Sequence, residues 1–243
     1  MPVFRGFLVA VGFLTRFGPA GVWRGEDVAA AVAWFPVVGL VLGAVLAGPV
    51  ALGLFAGEPW IAAWLVVLGD LAATRGLHAD GVADVADAWG SMARGERFFE
   101  ILKDSRVGAF GVMGLFVVLA GKLILFSALF ARGQAGGVAF CFVAGRACAV
   151  WLMGLGGHLA RPGLGALFAP GAGARTRAVV LAVTVILGAF LAPLRGVAAG
   201  CLLGAGVVAM LYGLARDRGG LNGDFLGAAV VGGEIAACLG MFV

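Results

Sequence analysis

The chain has 243 residues, 62% of them hydrophobic and only 12% charged. Soluble globular domains carry roughly a quarter charged residues, so this composition excludes an ordinary water-soluble enzyme and indicates a polytopic membrane protein. A formal net charge of +4 is too small to argue for nucleic acid; it reports membrane topology and some attraction to anionic lipid or phosphate.

The chain opens on MPVFRGFLVAVGFLTRFG, a short apolar stretch interrupted by glycine. It has no small-x-small cleavage site and reads as an interfacial or re-entrant segment, not as a cleavable signal. Seven apolar runs follow, at residues 34–56, 60–74, 108–130, 138–155, 178–194, 196–214 and 225–243. The second is short for a bilayer of about 30 Å and contains an acidic residue, Asp70. Many of the 43 glycines lie inside these runs among Ala, Val and Leu, where small residues let helices approach closely. Cys141, Cys148, Cys201 and Cys238 also lie in apolar runs, without metal-like spacing, and read as small core residues with no disulfide. The expectation is an all-α polytopic membrane protein of about seven transmembrane helices. Residues 1–243 form one integral membrane domain, with an Asp-rich loop at about 75–107.

Alternation along the spans puts the N-terminal arm, the Asp-rich loop, residues 156–177 and residues 215–224 on one side. Thirteen lysines and arginines fall there, against only Arg132 and Arg195 on the other side. By the positive-inside rule the first side is cytoplasmic. Most of the acidic residues fall on that side as well, which the rule does not require and which suggests a site.

The densest acid is in GLHADGVADVADAWG, residues 76–90. As a helix, this stretch places Asp84 about 40° from Asp80 and Asp87 about 20° to the other side, so the three share one face. Carboxylates that close repel one another unless a cation neutralises them. Oxygen-only ligands suit Mg²⁺ or Mn²⁺, which also use substrate phosphates, so the cluster points to phosphoryl or pyrophosphate chemistry. Asp80, Asp84 and Asp87 are the metal candidates. Asp87 and Asp224 are candidates for the catalytic base, and His78 joins the catalytic set, although a helix that already includes it turns it about 160° from Asp80. The bland alternative is a solvated acidic face.

In ERFFEILKDSRVGAFG, residues 96–111, an apolar stripe at Phe98, Phe99, Ile101 and Leu102 suits a membrane surface. Lys103 and Arg106 could clamp phosphate oxygens or anchor a helix at the interface. Near the end, Gly219, Gly220 and Gly223 permit a tight turn before Asp224, which reads either as a helix N-cap or as a fourth carboxylate of the same site. Four ionisable residues fall within spans: Asp70, Lys122, Arg146 and Glu234. Such residues are functional candidates. Arg146 most needs a partner, either Asp70, Glu234 or a substrate phosphate, whereas Asp70 and Lys122 lie near span ends and can reach the interface.

With these motifs in view, the chain resembles the cobalamin synthase family of adenosylcobinamide-GDP ribazoletransferases. The resemblance runs collinearly through FLTRF (13–17), FPVVGLVLG (35–43), GLHADGVADVADA (76–88), ILKDSRVGAFG (101–111), GR (145–146) and GGLNGDFLGAA (219–229). It implies a multi-pass inner-membrane enzyme that joins adenosylcobinamide-GDP to α-ribazole, or to its 5′-phosphate, and releases GMP. Mg²⁺ is the implied cofactor. The implied partners are these substrates and the lipid bilayer, without nucleic acid, and a homo-oligomer is allowed. The sequence departs from the family pattern at Arg75, Ala88, Asn222 and Val231, which leaves the acidic core intact.

Two other readings compete. A transporter would place its working charge at mid-membrane and show inverted repeats, yet the densest charge lies at one surface. A CDP-alcohol-type lipid phosphotransferase shares the DG and spaced aspartates, but Asp84 stands where that signature would place an arginine.

Overall fold

The computed structural model describes residues 2–19 and 21–243, and among these it is helical throughout, with one isolated β-bridge between Ala160 and Leu221. In chain order the helices are α1 (Pro2–Leu14), α2 (Gly25–Ala31), α3 (Phe35–Ala51), α4 (Pro59–Thr74), α5 (Leu77–Gly90), α6 (Glu96–Leu102), α7 (Ala109–Ala131), α8 (Ala135–Gly156), α9 (Leu164–Phe168), α10 (Ala174–Leu191), α11 (Leu194–Arg218) and α12 (Gly223–Gly240). Six helical segments are long and apolar enough to cross a membrane: α2 running into α3, then α7, α8, α10, α11 and α12. The helices α4 and α5 pass the same test only together, and they are bent by 88° between them, as in a broken span or a re-entrant loop. The protein is thus a multi-pass, all-α membrane protein.

The helix α8 is the axis of the bundle. Its residues are almost all buried, because α3, α10, α11 and α12 surround it. Glycine sets these distances. A Cβ on Gly43 of α3 would come within 2.8 Å of the Ala139 backbone of α8, and one on Gly233 of α12 within 3.0 Å of Gly145 Cα. Membrane helices have no hydrophobic drive toward one another, so backbone-to-backbone approach of this kind supplies the packing. All four cysteines are free, and three of them are buried.

The elbow between α4 and α5 positions the acidic helix. Arg75 and Gly76 both take the left-handed conformation, with φ of 55° and 70°, and both donate their N–H to the Leu71 carbonyl. That closes α4 and turns the chain nearly at right angles. The limb α4 packs along α7 and α3, while α5, turned 88° from it, lies against α7 and α12.

Several boundaries differ from the sequence reading. The first predicted span, 34–56, ends as a helix at Ala51, and positive φ at Gly53, Phe55 and Gly57 makes the rest a turn. The sixth, 196–214, continues to Arg218 because Ala215 and Arg218 are buried beneath the neighbouring loops. The N-terminal stretch is the short helix α1, packed on α2 and α3. Asp70 and Lys122 are not at the interface as expected. Lys122 sits in the middle of α7, and both side chains are buried.

Candidate functional site

The polar segments expected on one side do meet at one end of the bundle. Arg161 of the α8–α9 connection lies 3.9 Å over the Phe99 ring and binds both oxygens of Glu96 at 2.7 Å. That pairing draws Glu96 below its ordinary carboxylate range. Arg94 pairs with Asp217 at 2.9 Å, and Arg218 donates to the Ala93 carbonyl at 3.0 Å. The α8–α9 connection joins the segment before α12 through Arg161 N–H to Leu221 C=O and Leu221 N–H to Leu159 C=O, each 2.8 Å. Three distant stretches of sequence, at residues 93–99, 159–161 and 217–221, therefore meet at this end of the bundle.

The helix α5 does carry Asp80, Asp84 and Asp87 together. Asp80 is exposed, and Asp84 and Asp87 are half-buried. Gly81 lets this helix touch the start of α12: a Cβ there would lie 2.6 Å from the Asp224 carbonyl oxygen. The contact brings the Asp224 carboxylate to the same face, where Asn222 Nδ2 donates to it at 2.7 Å. Asp224 is in the first turn of α12, while the N-cap residue itself is Asn222. Burial comes first, then the charges of Asp80, Asp224 and Asp87, and together they push the Asp84 carboxyl up to about 7. No cation acts on it in that setting. A carboxylate so placed becomes comfortable as an anion only when a cation arrives.

Asp87 is used differently. Its two oxygens accept the backbone N–H groups of Gly108 and Gly111, each at 2.7 Å. These are the first amides of α7, which have no partner within their own helix. Asp87 is thus the cap of α7, delivered from another helix. Gly108 and Gly111 must lack side chains because a Cβ on either would run into the Asp87 carboxylate.

Two cavities open beside the acids. One, of about 660 Å³, is walled by Phe13, Arg16, Trp23, Arg75 and Asp80. The other, of about 280 Å³, is walled by His78, Asn222, Asp224 and apolar side chains. Phe13, Leu77 and Leu164 line both. His78 is buried in α5 and meets the second cavity together with Asp224, so its burial does not remove it from the acidic site. Among the described residues no three His, Cys, Asp or Glu side chains converge tightly enough to hold an ion by themselves. The oxygen-only set still suits a hard cation that completes its shell with water and substrate phosphate, as Mg²⁺ does.

The phosphate candidates separate. Lys103 is exposed, and its charge acts on Glu96. Arg106 is exposed too, but its guanidinium lies on Asp104 at 2.6 Å, which holds that carboxyl down at about 2. Arg146 is fully buried and bonded to Glu234, with Asp70 at 3.7 Å. Lys122 bridges the same two acids, at 2.5 Å to Asp70 and 2.7 Å to Glu234. The four intramembrane residues therefore form one electrically neutral quartet that lines neither cavity. Arg146 finds its partners in the protein. Arg16 and Arg75, which sequence reasoning did not single out as site residues, stand at the larger cavity. They are far apart in the chain, so no local pattern pairs them.

Fold and site together define a multi-pass membrane protein with a carboxylate-rich site between two cavities at one end of the bundle. Residues 6–242 match the family model described as cobalamin-5-phosphate synthase, and the chain belongs to that family. It is 52% identical over 173 residues to a protein of Nitratidesulfovibrio vulgaris strain DP4 named adenosylcobinamide-GDP ribazoletransferase, covering 71% of each chain. A protein of the same name from N. vulgaris strain Miyazaki F is 46% identical over 184 residues, 76% of this chain and 73% of its own. Another from Thiobacillus denitrificans is 46% identical over half of each chain. No solved structure matches.

Proposed function

We infer that the protein is a transferase that joins adenosylcobinamide-GDP to α-ribazole or its 5′-phosphate and releases GMP. One observation carries the chemistry: Asp80, Asp84 and Asp224 crowd one face between two cavities, and no cation is among the charges that act on Asp84. The bond formed runs from an acceptor hydroxyl oxygen to the phosphorus that stays on the corrinoid. The bond broken is the one from that phosphorus to GMP, which leaves with the electron pair.

We assign Mg²⁺ to Asp80 and Asp84, with Asp87 holding the frame through α7 and Asp224 left outside the metal shell. When bound, Mg²⁺ supplies charge neutralisation at the pyrophosphate and its leaving group. Asp224 is positioned to take the proton of the acceptor hydroxyl, since both Asp87 oxygens are already engaged by amides. His78 lines the same cavity as Asp224 and is the second proton-handling candidate. Lys103, and Arg106 once drawn from Asp104, steady phosphate oxygens at the rim. Thirteen basic residues at this end against two at the other support a site on the cytoplasmic face of the inner membrane.

The test is direct. Detergent-solubilised, folded protein is supplied with adenosylcobinamide-GDP, α-ribazole and Mg²⁺, and GMP is quantified. GMP should appear in step with the corrinoid product and stop on chelation. Folded protein that releases no GMP with either acceptor form would end this reading.

A further inference from the structure

The larger cavity contains two cations that the mechanism above leaves unused. Arg16 follows α1 and Arg75 occupies the α4–α5 elbow, and both line the cavity with Asp80. The backbone brings them together, because Arg16 N–H donates to the Ala73 carbonyl at 2.7 Å, two residues before Arg75. Both side chains are exposed. Among the described residues neither joins an ion pair. Arg94, Arg97, Arg106 and Arg161, which surround the same end of the bundle, each rest on a carboxylate.

Arg75 is also held at a φ of 55°, where a residue with a Cβ is disfavoured and glycine is not. A strained residue kept at a cavity wall is an observation from which function can be inferred. Phe13 and Trp23 give the cavity flat apolar surfaces, suited to an aromatic base. Its one acid, Asp80, belongs to the carboxylate-bearing helix α5, and neither Asp84 nor Asp224 lines the cavity.

This polarity orients a ligand. An anion is repelled by Asp80 and drawn to the two arginines, whose planar forks match phosphate oxygens. A neutral hydroxyl is tolerated beside Asp80. The pyrophosphate of the other substrate belongs on the far side of Asp80, with Asp84, Asp224 and the cation. We propose that Arg16 and Arg75 form a phosphate-monoester subsite. It grips the 5′-phosphate of the acceptor, points the acceptor's hydroxyl at the carboxylate face, and so selects the phosphorylated acceptor over the free nucleoside. The proposal rests on the transferase reading for the identity of the acceptor.

The experiment has two arms on the full chain in detergent. In the first, KM is measured by GMP release with α-ribazole and with α-ribazole 5′-phosphate, for the unmodified protein and for Arg16→Gln, Arg75→Gln and Arg75→Gly. Loss of one charge-assisted contact should raise KM for the phosphorylated acceptor about tenfold more than for the nucleoside. Arg75→Gly relieves the left-handed backbone, so its melting temperature should equal or exceed that of the unmodified protein while the same selectivity is lost. In the second arm, α-ribazole 5′-phosphate binding is titrated without the GDP substrate, and each variant should bind about tenfold more weakly. Equal losses with both acceptors, or unchanged binding, would overturn the subsite. Weakened binding in the variants of a protein that releases no GMP would retain the subsite and remove the transferase reading instead.

Discussion

Two groups of carboxylates lie along α12, ten residues and thus ~15 Å apart, and the protein treats them in opposite ways. At depth, Asp70 and Glu234 are matched by Lys122 and Arg146, all four side chains buried. At the end of the bundle, Asp80, Asp84 and Asp224 face one another with no cation among the charges that act on Asp84. The first group is closed and neutral, as burial in a low-dielectric bundle requires. The second is open, and cations from outside can reach it. The same residue types therefore serve as a lock where the counter-charge is internal, and as a binding site where it is not.

Breaking the lock should have the largest effect. Lys122→Met leaves Asp70 and Glu234 with too little positive charge, and loss of one partner of a buried pair costs about 3–5 kcal/mol. Unfolding in detergent micelles should show a drop of that order; an unchanged midpoint would mean that the quartet does not hold the helices. At the open group, Asp84→Asn should lower GMP release about 100-fold, at the upper end of what single ligand-sphere changes cost, with no loss of melting temperature in metal-free buffer. Activity near normal would take Asp84 out of the cation site. Between the two groups, Gly111→Ala should destabilise by about 1–3 kcal/mol, the cost of forcing a methyl into a filled space, because that methyl meets the Asp87 carboxylate.

The smallest effect sharpens the contrast through pH. The folded state raises the Asp84 carboxyl from its ordinary value of 3.8 to about 7. Between those values the folded state binds more protons than the unfolded one, so stability in the absence of divalent cations should fall as pH rises from about 4 to about 7 and level off above. Mg²⁺ should flatten that slope and bind more tightly as pH rises through 7. A metal-free slope that survives in Asp84→Asn would assign it to another group.

Hydropathy and charge asymmetry made the spans and the common polar end legible in the sequence, and helical spacing made the Asp80–Asp84–Asp87 face legible. Spacing could not separate the three. Asp87 differs from Asp84 only through amides 21 and 24 residues downstream, a contact with no local signature. The quartet was visible as four residues that needed partners, yet its pairing depends on how α4, α7, α8 and α12 pack. The short helices α2, α6 and α9 escaped hydropathy because each is under eight residues long. The pairing of Arg16 with Arg75 depends on a backbone contact between α1 and the end of α4.

The Asp87 clasp has a consequence for engineering. By gripping the first amides of α7 it fixes both ends of the segment between α5 and α7, whatever that segment's length. Extending a loop whose ends are already fixed is inexpensive, about 0.6 kcal/mol for each doubling. Ser105, Arg106 and Val107 at its far end are exposed. A short tag or fluorophore acceptor peptide inserted after Ser105 should therefore leave α5 and α7 in register, and would put a reporter beside the carboxylate face without touching a transmembrane helix.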